Sequence, residues 1–186
     1  SVELTNSCYL YAHLDSNIPA HYPGFGTFPK IGFIAQLDTA QGFSGANVKP
    51  RIIRDYSGGD LQTSDTVSLT VEENPALKDS VGQTLVTTDG TTLLGADDKA
   101  GIAIIMTFLE ELKNNSSILH PDICVAFTPD EEIGRGALSF DLEKFDADLA
   151  STIDGGTAGD INMETFSHEA AIATITGQAT HPAARN

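Results

Sequence analysis

An apolar run of strand length ends at polar residues in Ile123-Cys124-Val125-Ala126-Phe127-Thr128-Pro129-Asp130-Glu131-Glu132. The run leads, through Thr128, Pro129 and Asp130, to the adjacent carboxylates of Glu131 and Glu132. An uninterrupted apolar run is typical of a strand that is buried on both faces. A second such run, Ile31 to Ala35, is followed by Gln36 and Asp38. Open α/β sheets bind their ligands at the carboxyl ends of the strands, so these polar residues indicate a functional site.

Two further carboxylate motifs extend this pattern. Gly95-Ala96-Asp97-Asp98-Lys99-Ala100-Gly101 leads into a segment, Ala100 to Lys113, whose apolar residues follow helical spacing. Asp148 to Ile153 is another strand-like run, and it ends at Asp154 before two glycines. Strands that alternate with helical segments predict an α/β fold with a mixed central sheet flanked by helices.

The rest of the chain completes this prediction. Tyr9 to Ala12 and Ala170 to Gly177 are predicted strands, and Phe140 to Phe145 is a predicted short helix. The long polar segment 41–83 is expected to be functional or to contain short elements of its own.

Composition excludes several classes of partner. The 186 residues include 10 basic and 26 acidic side chains, which gives a net charge of −16. Nucleic acid and anionic membranes attract positively charged surfaces, so neither is an expected partner. The sequence has no membrane-length apolar stretch, no signal-peptide pattern and only two cysteines, which favours a cytoplasmic location.

The spacing of the carboxylates suggests a pair of divalent metal ions. Such a pair needs a bridging carboxylate, terminal ligands and a free carboxylate as base. Asp97 suits the bridge, although it could instead cap the following helix. Glu131 and Glu132 are adjacent, so one can bind metal while the other faces the substrate. Asp154 is either a ligand or an ordinary turn aspartate.

Two other polar residues have less specific signals. Asp38 lies two residues beyond Gln36, on the same face of an extended strand. It is expected to accept a hydrogen bond from the Gln36 amide. His181, which precedes Pro182, could donate a hydrogen bond to a tetrahedral intermediate or could be an ordinary loop histidine.

Together these motifs resemble the peptidase T family of tripeptide aminopeptidases, which is part of a larger family of dinuclear zinc aminopeptidases, carboxypeptidases and deacylases. The resemblance runs from about Tyr9 to Pro182. It is strongest in Thr87-Thr88-Asp89-Gly90-Thr91-Thr92-Leu93-Leu94-Gly95-Ala96-Asp97-Asp98-Lys99-Ala100-Gly101, and it includes Asn47-Val48-Lys49-Pro50 and Gly58-Gly59-Asp60.

The resemblance implies a role for each site residue. Asp97 would bridge two zinc ions, Asp154 would bind the first and Glu132 the second. Glu131 would be the general base, Asp38 would orient the first-metal ligand and His181 would assist the intermediate. It also implies a cis peptide bond between Asp97 and Asp98, a short peptide as substrate, and a homodimer in the full-length protein.

The sequence departs from the family pattern at three points. Gln36 stands where the family has the first-metal histidine, and Ala183 stands where it usually has glycine. The chain also covers less than half of a family member, so residues 1–166 would be a partial catalytic domain and 167–186 the start of a lid or dimerisation domain.

The departures leave Gln36, Asp97, Glu132 and Asp154 as ligands, all with oxygen donors. Zinc sites rely on imidazole or thiolate, whereas oxygen-only sites suit Mg²⁺, Ca²⁺ or Mn²⁺. Weak binding of one zinc ion at most is therefore expected. The sequence leaves open an impaired aminopeptidase and a non-catalytic, truncated or degenerate homologue that acts as a binding module. A plain acidic Ca²⁺-binding domain lacks the Asp-rich loop that it would need.

Overall fold

The computed structural model describes residues 1–156, 159–164 and 171–177. Nine strands and two α-helices lie in these ranges: β1 (Val2–Leu4), β2 (Leu10–Leu14), β3 (Ile31–Gln36), β4 (Arg51–Ile53), β5 (Leu61–Gln62), β6 (Ser68–Leu69), β7 (Leu85–Thr87), α1 (Ala96–Asn114), β8 (Ile123–Thr128), α2 (Leu142–Phe145) and β9 (Leu149–Thr152). Short 3-10 turns cover Pro75–Leu77 and Glu131–Ile133.

Five strands form the main sheet, in the order β1-β2-β8-β3-β9. β8 is parallel to β3 and antiparallel to β2, while β9 is parallel to β3. The predicted mixed sheet flanked by helices is therefore confirmed. Segment 41–83 contains β4, β5 and β6, so it has the short elements that its length indicated.

The core lies on both faces of β8, whose six residues are all buried. Ile123, Val125 and Phe127 pack on one face with Ile105 and Leu112 of α1. The alternate residues Cys124 and Ala126 pack on the other face, in a cluster with Tyr9, Tyr11 and Phe145. This alternation follows from the two-residue period of a strand, and it explains why the whole run is apolar.

The register of the parallel strands brings their carboxyl ends to one edge of the sheet. Gln36, the last residue of β3, pairs with Thr128, the last residue of β8. Ile34 pairs with Thr152, the last residue of β9. The segments that follow β3, β8 and β9 carry Asp38, Glu131 and Asp154, so these residues leave the sheet at the same edge.

One element prediction is wrong. Residues 171–177 have no regular secondary structure, so the weak alternation of this segment does not form a strand there. A strand needs a hydrogen-bonded partner, and alternation in one segment does not provide one. The chain divides into two compact units, Ser1–Gly155 and Gly156–Asn186. The domain boundary at 166 stays a prediction.

No helix in the described part of the chain is long and apolar enough to cross a membrane.

Candidate metal and catalytic site

Gln36 is the centre of the candidate site. Its side chain is buried, with only 3% of the residue exposed. The amide nitrogen Nε2 donates to Asp97 Oδ1 at 3.1 Å, to Glu131 Oε2 at 3.0 Å and to Asp154 Oδ2 at 3.3 Å. Three carboxylates from different parts of the chain therefore converge on one neutral amide.

Asp98 completes this group and was not assigned a role from the sequence. It is 1% exposed, and its carboxylate accepts the backbone N–H groups of Gln36 and Gly101, each at 3.1 Å. It therefore joins the end of β3 to the first regular turn of α1. By accepting the Gly101 N–H, Asp98 takes the helix-capping role that the sequence also allows for Asp97.

Four acidic residues form what we call the carboxylate cluster: Asp97, Asp98, Glu131 and Asp154. One ligand atom each from Asp97, Asp98 and Asp154 lies within 4.8 Å of the others, which is close enough for a shared metal ion. The peptide bond between Asp97 and Asp98 is cis, as the resemblance implies.

The cluster changes the acidity of its members. Partial burial, and then the hydrogen bond and negative charge of Asp154, raise the pKa of Asp97 from 3.8 to about 6. Burial also raises the pKa of Glu131, with the charges of Asp154 and Glu132 adding to the effect. Burial raises the pKa of Asp98, although its two backbone donors oppose the change. Like charges that are forced together disfavour ionisation, and a cation would relieve this repulsion.

Asp38 has a different partner from the one expected. Its two carboxylate oxygens accept the backbone N–H groups of Glu131 and Glu132, each at 3.1 Å. The predicted hydrogen bond from the Gln36 amide is wrong, because that amide donates to three other carboxylates. Asp38 therefore fixes the 3-10 turn that carries both glutamates, and it acts on the site through the backbone.

The other predicted residues are placed as follows. The negative charge of Glu132 contributes to the raised pKa of Asp97. Glu132 does not belong to the group of carboxylates whose ligand atoms lie within 4.8 Å of one another. His181 lies outside the described residues. The roles of these residues in metal binding and catalysis stay predictions.

The described residues fit one oxygen-bound cation better than a pair of zinc ions. Among the described residues, the group that could share an ion consists of three carboxylates and contains no histidine or cysteine. Gln36 Oε1 is buried and has no hydrogen-bond partner within the described structure. That oxygen is a candidate ligand for a cation, whereas zinc pairs use nitrogen ligands that these residues do not provide.

A pocket of about 630 Å³ opens beside the site. Gln36, Glu131 and Asp154 line it together with two threonines, and most of the remaining lining residues are apolar, such as Ile34 and Phe140. The pocket combines carboxylates with an apolar surface, as binding sites for small molecules commonly do.

Comparison with known proteins shows the protein family of this chain. The family model described as M42 glutamyl aminopeptidase matches residues 81–178, which is more than half of the chain. The chain belongs to this aminopeptidase family.

The curated relatives carry a more particular name. A Peptidase T of Clostridium novyi (strain NT) is 48% identical over 183 residues, which cover 97% of this chain and 44% of that protein. A Peptidase T of Vibrio atlanticus (strain LGP32) is 50% identical over 182 residues, covering 97% and 43%. The resemblance to the peptidase T family is thereby confirmed, and the chain spans less than half the length of these relatives.

Solved structures agree on the fold. A tripeptidase from Staphylococcus aureus subsp. aureus mu50 superimposes with a TM-score of 0.58 at 26% identity, covering 84% of this chain and 34% of that one. The aminopeptidase PepT from Bacillus cereus ATCC 10987 gives a TM-score of 0.59 at 24% identity, with the same coverage. The second comparison supports the fold alone.

Proposed function

We propose that this chain is the metal-binding part of an aminopeptidase that removes the N-terminal residue from tripeptides. The observation that carries the proposal is the convergence of Asp97, Glu131 and Asp154 on Gln36 at the carboxyl ends of parallel strands. Membership of an aminopeptidase family and 48–50% identity to proteins named Peptidase T support it.

In the proposed site, Asp97, Asp154 and Gln36 would hold a divalent cation, with Glu132 as a further ligand. A bound cation supplies a Lewis acid that polarises a carbonyl group and makes water more acidic. The resemblance implies two zinc ions, and we propose weak or partial zinc occupancy here because the described ligands are oxygen donors.

Glu131 would accept a proton from the attacking water at Oε2 and return it to the leaving amine. Its raised pKa suits this exchange, because a carboxylate that is too acidic is a poor base. Asp38 would position Glu131 by holding the turn on which it lies. His181 would donate a hydrogen bond to the intermediate. The pocket beside Glu131 would receive part of the peptide.

A second candidate function is a non-catalytic binding module. The observation that favours it is that the neutral amide of Gln36 already occupies the point where the carboxylates converge. The proposed peptidase would then be impaired in this chain, and a peptide could bind without being cleaved.

A peptidase assay separates the two candidates. The purified chain is incubated with a tripeptide or a dipeptide, with Zn²⁺ or Co²⁺ or with a chelator, and free amino acid is measured by mass spectrometry. Tripeptide turnover that the chelator stops, and that Glu131→Gln reduces at least 100-fold, supports the enzyme. Peptide binding without turnover, with or without the Gln36→His substitution, supports the binding module.

We also propose a cytoplasmic location, short peptides as partners and a homodimer for a full-length protein.

A further inference from the structure

The hydrogen bonds of Gln36 are unevenly distributed. A primary amide has two N–H donors, but Nε2 faces three carboxylate oxygens at 3.0–3.3 Å. At the other end of the amide, buried Oε1 accepts no hydrogen bond from the described residues. One end of the side chain therefore has more acceptors than donors, and the other end has an unused acceptor.

The orientation of the Gln36 amide is the one that neighbouring negative charges favour. Facing negative carboxylates, an amide presents its N–H end, because its oxygen would add to the repulsion. A cation bound by Asp97 and Asp154 reverses that preference, since it attracts the amide oxygen and replaces the hydrogen bonds of Nε2. The oxygen and nitrogen ends of an amide have nearly the same shape, so rotation about the last side-chain bond exchanges them.

We infer that Gln36 makes this a site for a single oxygen-bound divalent cation such as Mn²⁺ or Mg²⁺, and that the Gln36 amide turns its Oε1 to the ion on binding. Asp97 and Asp154 provide the carboxylate ligands, and Asp98 holds the backbone of Gln36 in place. The inference rests on the metal dependence in the proposed function, but it does not require turnover.

The expected selectivity is relative. Most protein sites bind Zn²⁺ more tightly than Mn²⁺, so the informative quantity is the ratio of the two affinities. Without a nitrogen ligand, the ratio of Zn²⁺ affinity to Mn²⁺ affinity is small in the unsubstituted chain. Gln36→His adds an imidazole at the same position, which favours Zn²⁺ much more than Mn²⁺. We expect the ratio to rise at least 10-fold in this variant.

The test measures binding directly. Mn²⁺ is titrated into the metal-free chain and followed by electron paramagnetic resonance, and Zn²⁺ affinity is obtained by competition. We expect one Mn²⁺ per chain, with at least 10-fold weaker binding in Asp154→Asn. Asp65→Asn removes an exposed carboxylate elsewhere and is the matched control, which should bind as the unsubstituted chain does. Thermal unfolding of each metal-free variant confirms that it is folded.

Nuclear magnetic resonance tests the rotation of the amide. The side-chain NH₂ signal of Gln36, assigned by its absence in Gln36→Glu, should shift as Mg²⁺ saturates the site. Two Mn²⁺ ions per chain, unchanged Mn²⁺ affinity in Asp154→Asn, or an unchanged Gln36 signal at saturating Mg²⁺ would overturn the inference. Failure of peptide turnover leaves these results intact, so the two proposals fail separately.

Discussion

At the scale of single residues, Gln36 is a neutral donor among negative charges. Its Nε2 contacts Asp97, Glu131 and Asp154, and its backbone N–H is held by Asp98. The sequence could predict that these residues meet, because parallel strand ends lie at one edge of a sheet. It could not predict the direction of the Gln36 amide or the burial of Asp98, since both depend on contacts between distant segments.

The raised pKa of Asp97 predicts a pH effect on stability. Its pKa is about 6 in the folded chain against 3.8 as the ordinary value, so the folded state binds the proton more tightly. Protonation therefore stabilises the fold below pH 4, and this contribution is lost as the pH rises from about 4 to about 6.

Melting temperatures in a chelator test this effect. Asp97→Asn removes the ionisable group and, with it, this pH effect. The melting temperature of the variant minus that of the unsubstituted chain should therefore rise by about 2 °C or more between pH 4 and pH 7. Asp65→Asn should show no such gain. An equal difference between variant and parent at both pH values would contradict the pH effect.

Asp38 stabilises the turn that carries Glu131 and Glu132. Its carboxylate satisfies the backbone N–H groups of Glu131 and Glu132, which are left without that acceptor in Asp38→Ala. Hydrogen bonds to a charged acceptor contribute about 1.5–3 kcal/mol each when buried, and less here because Asp38 is half-buried. We expect the free energy of unfolding to fall by about 1–2 kcal/mol in urea denaturation.

Asp38→Asn keeps one acceptor oxygen and should lose less stability than Asp38→Ala. If both substitutions leave the free energy of unfolding unchanged, Asp38 does not hold the turn.

Among the elements, the start of α1 is fixed by its close approach to the segment that follows β9. Gly101 is buried, and a Cβ atom at this position would overlap the Ile153 carbonyl oxygen and the Asp98 carboxylate. The apolar runs of β3 and β8 were predictable because these two interior strands pack on both faces of the sheet. The pairs β4-β7 and β5-β6 were not, since strands of two or three residues depend on distant partners.

Gly101→Ala tests this packing. Alanine favours a helix over glycine by about 1 kcal/mol, so helix propensity alone predicts stabilisation. The overlap with Asp98 and Ile153 predicts the opposite, a loss of about 3 kcal/mol or failure to fold. Ala103→Gly, on the exposed side of the same helix, is the control and should cost only about 1 kcal/mol. A Gly101→Ala chain as stable as the parent would contradict the described packing.

At the scale of the whole molecule, the main sheet ends at β9, which pairs only with β3 among the described strands. All four residues of β9 are exposed, and Leu149 is 62% exposed. An edge strand presents unpaired backbone groups that can pair with another chain. We therefore predict that the 186-residue chain self-associates as its concentration rises, when it is followed by size-exclusion chromatography with light scattering.

Leu149→Lys places a charge on this edge and should shift the association to at least 10-fold higher concentration. Val2→Lys makes the same change in β1, at the opposite edge, and is the matched control. A single monomeric species at all concentrations would contradict the prediction, and an equal effect of both substitutions would exclude β9 as the surface involved.

We propose that Gln36 separates this chain from the zinc chemistry that its resemblance to the peptidase T family implies. Zinc titrations by isothermal calorimetry, run side by side on the metal-free chain and on Gln36→His, test it most directly. We expect at most one weak zinc site in the unsubstituted chain and at least 10-fold tighter binding in the variant. Two tight zinc sites in the unsubstituted chain, or no gain in the variant, would contradict it.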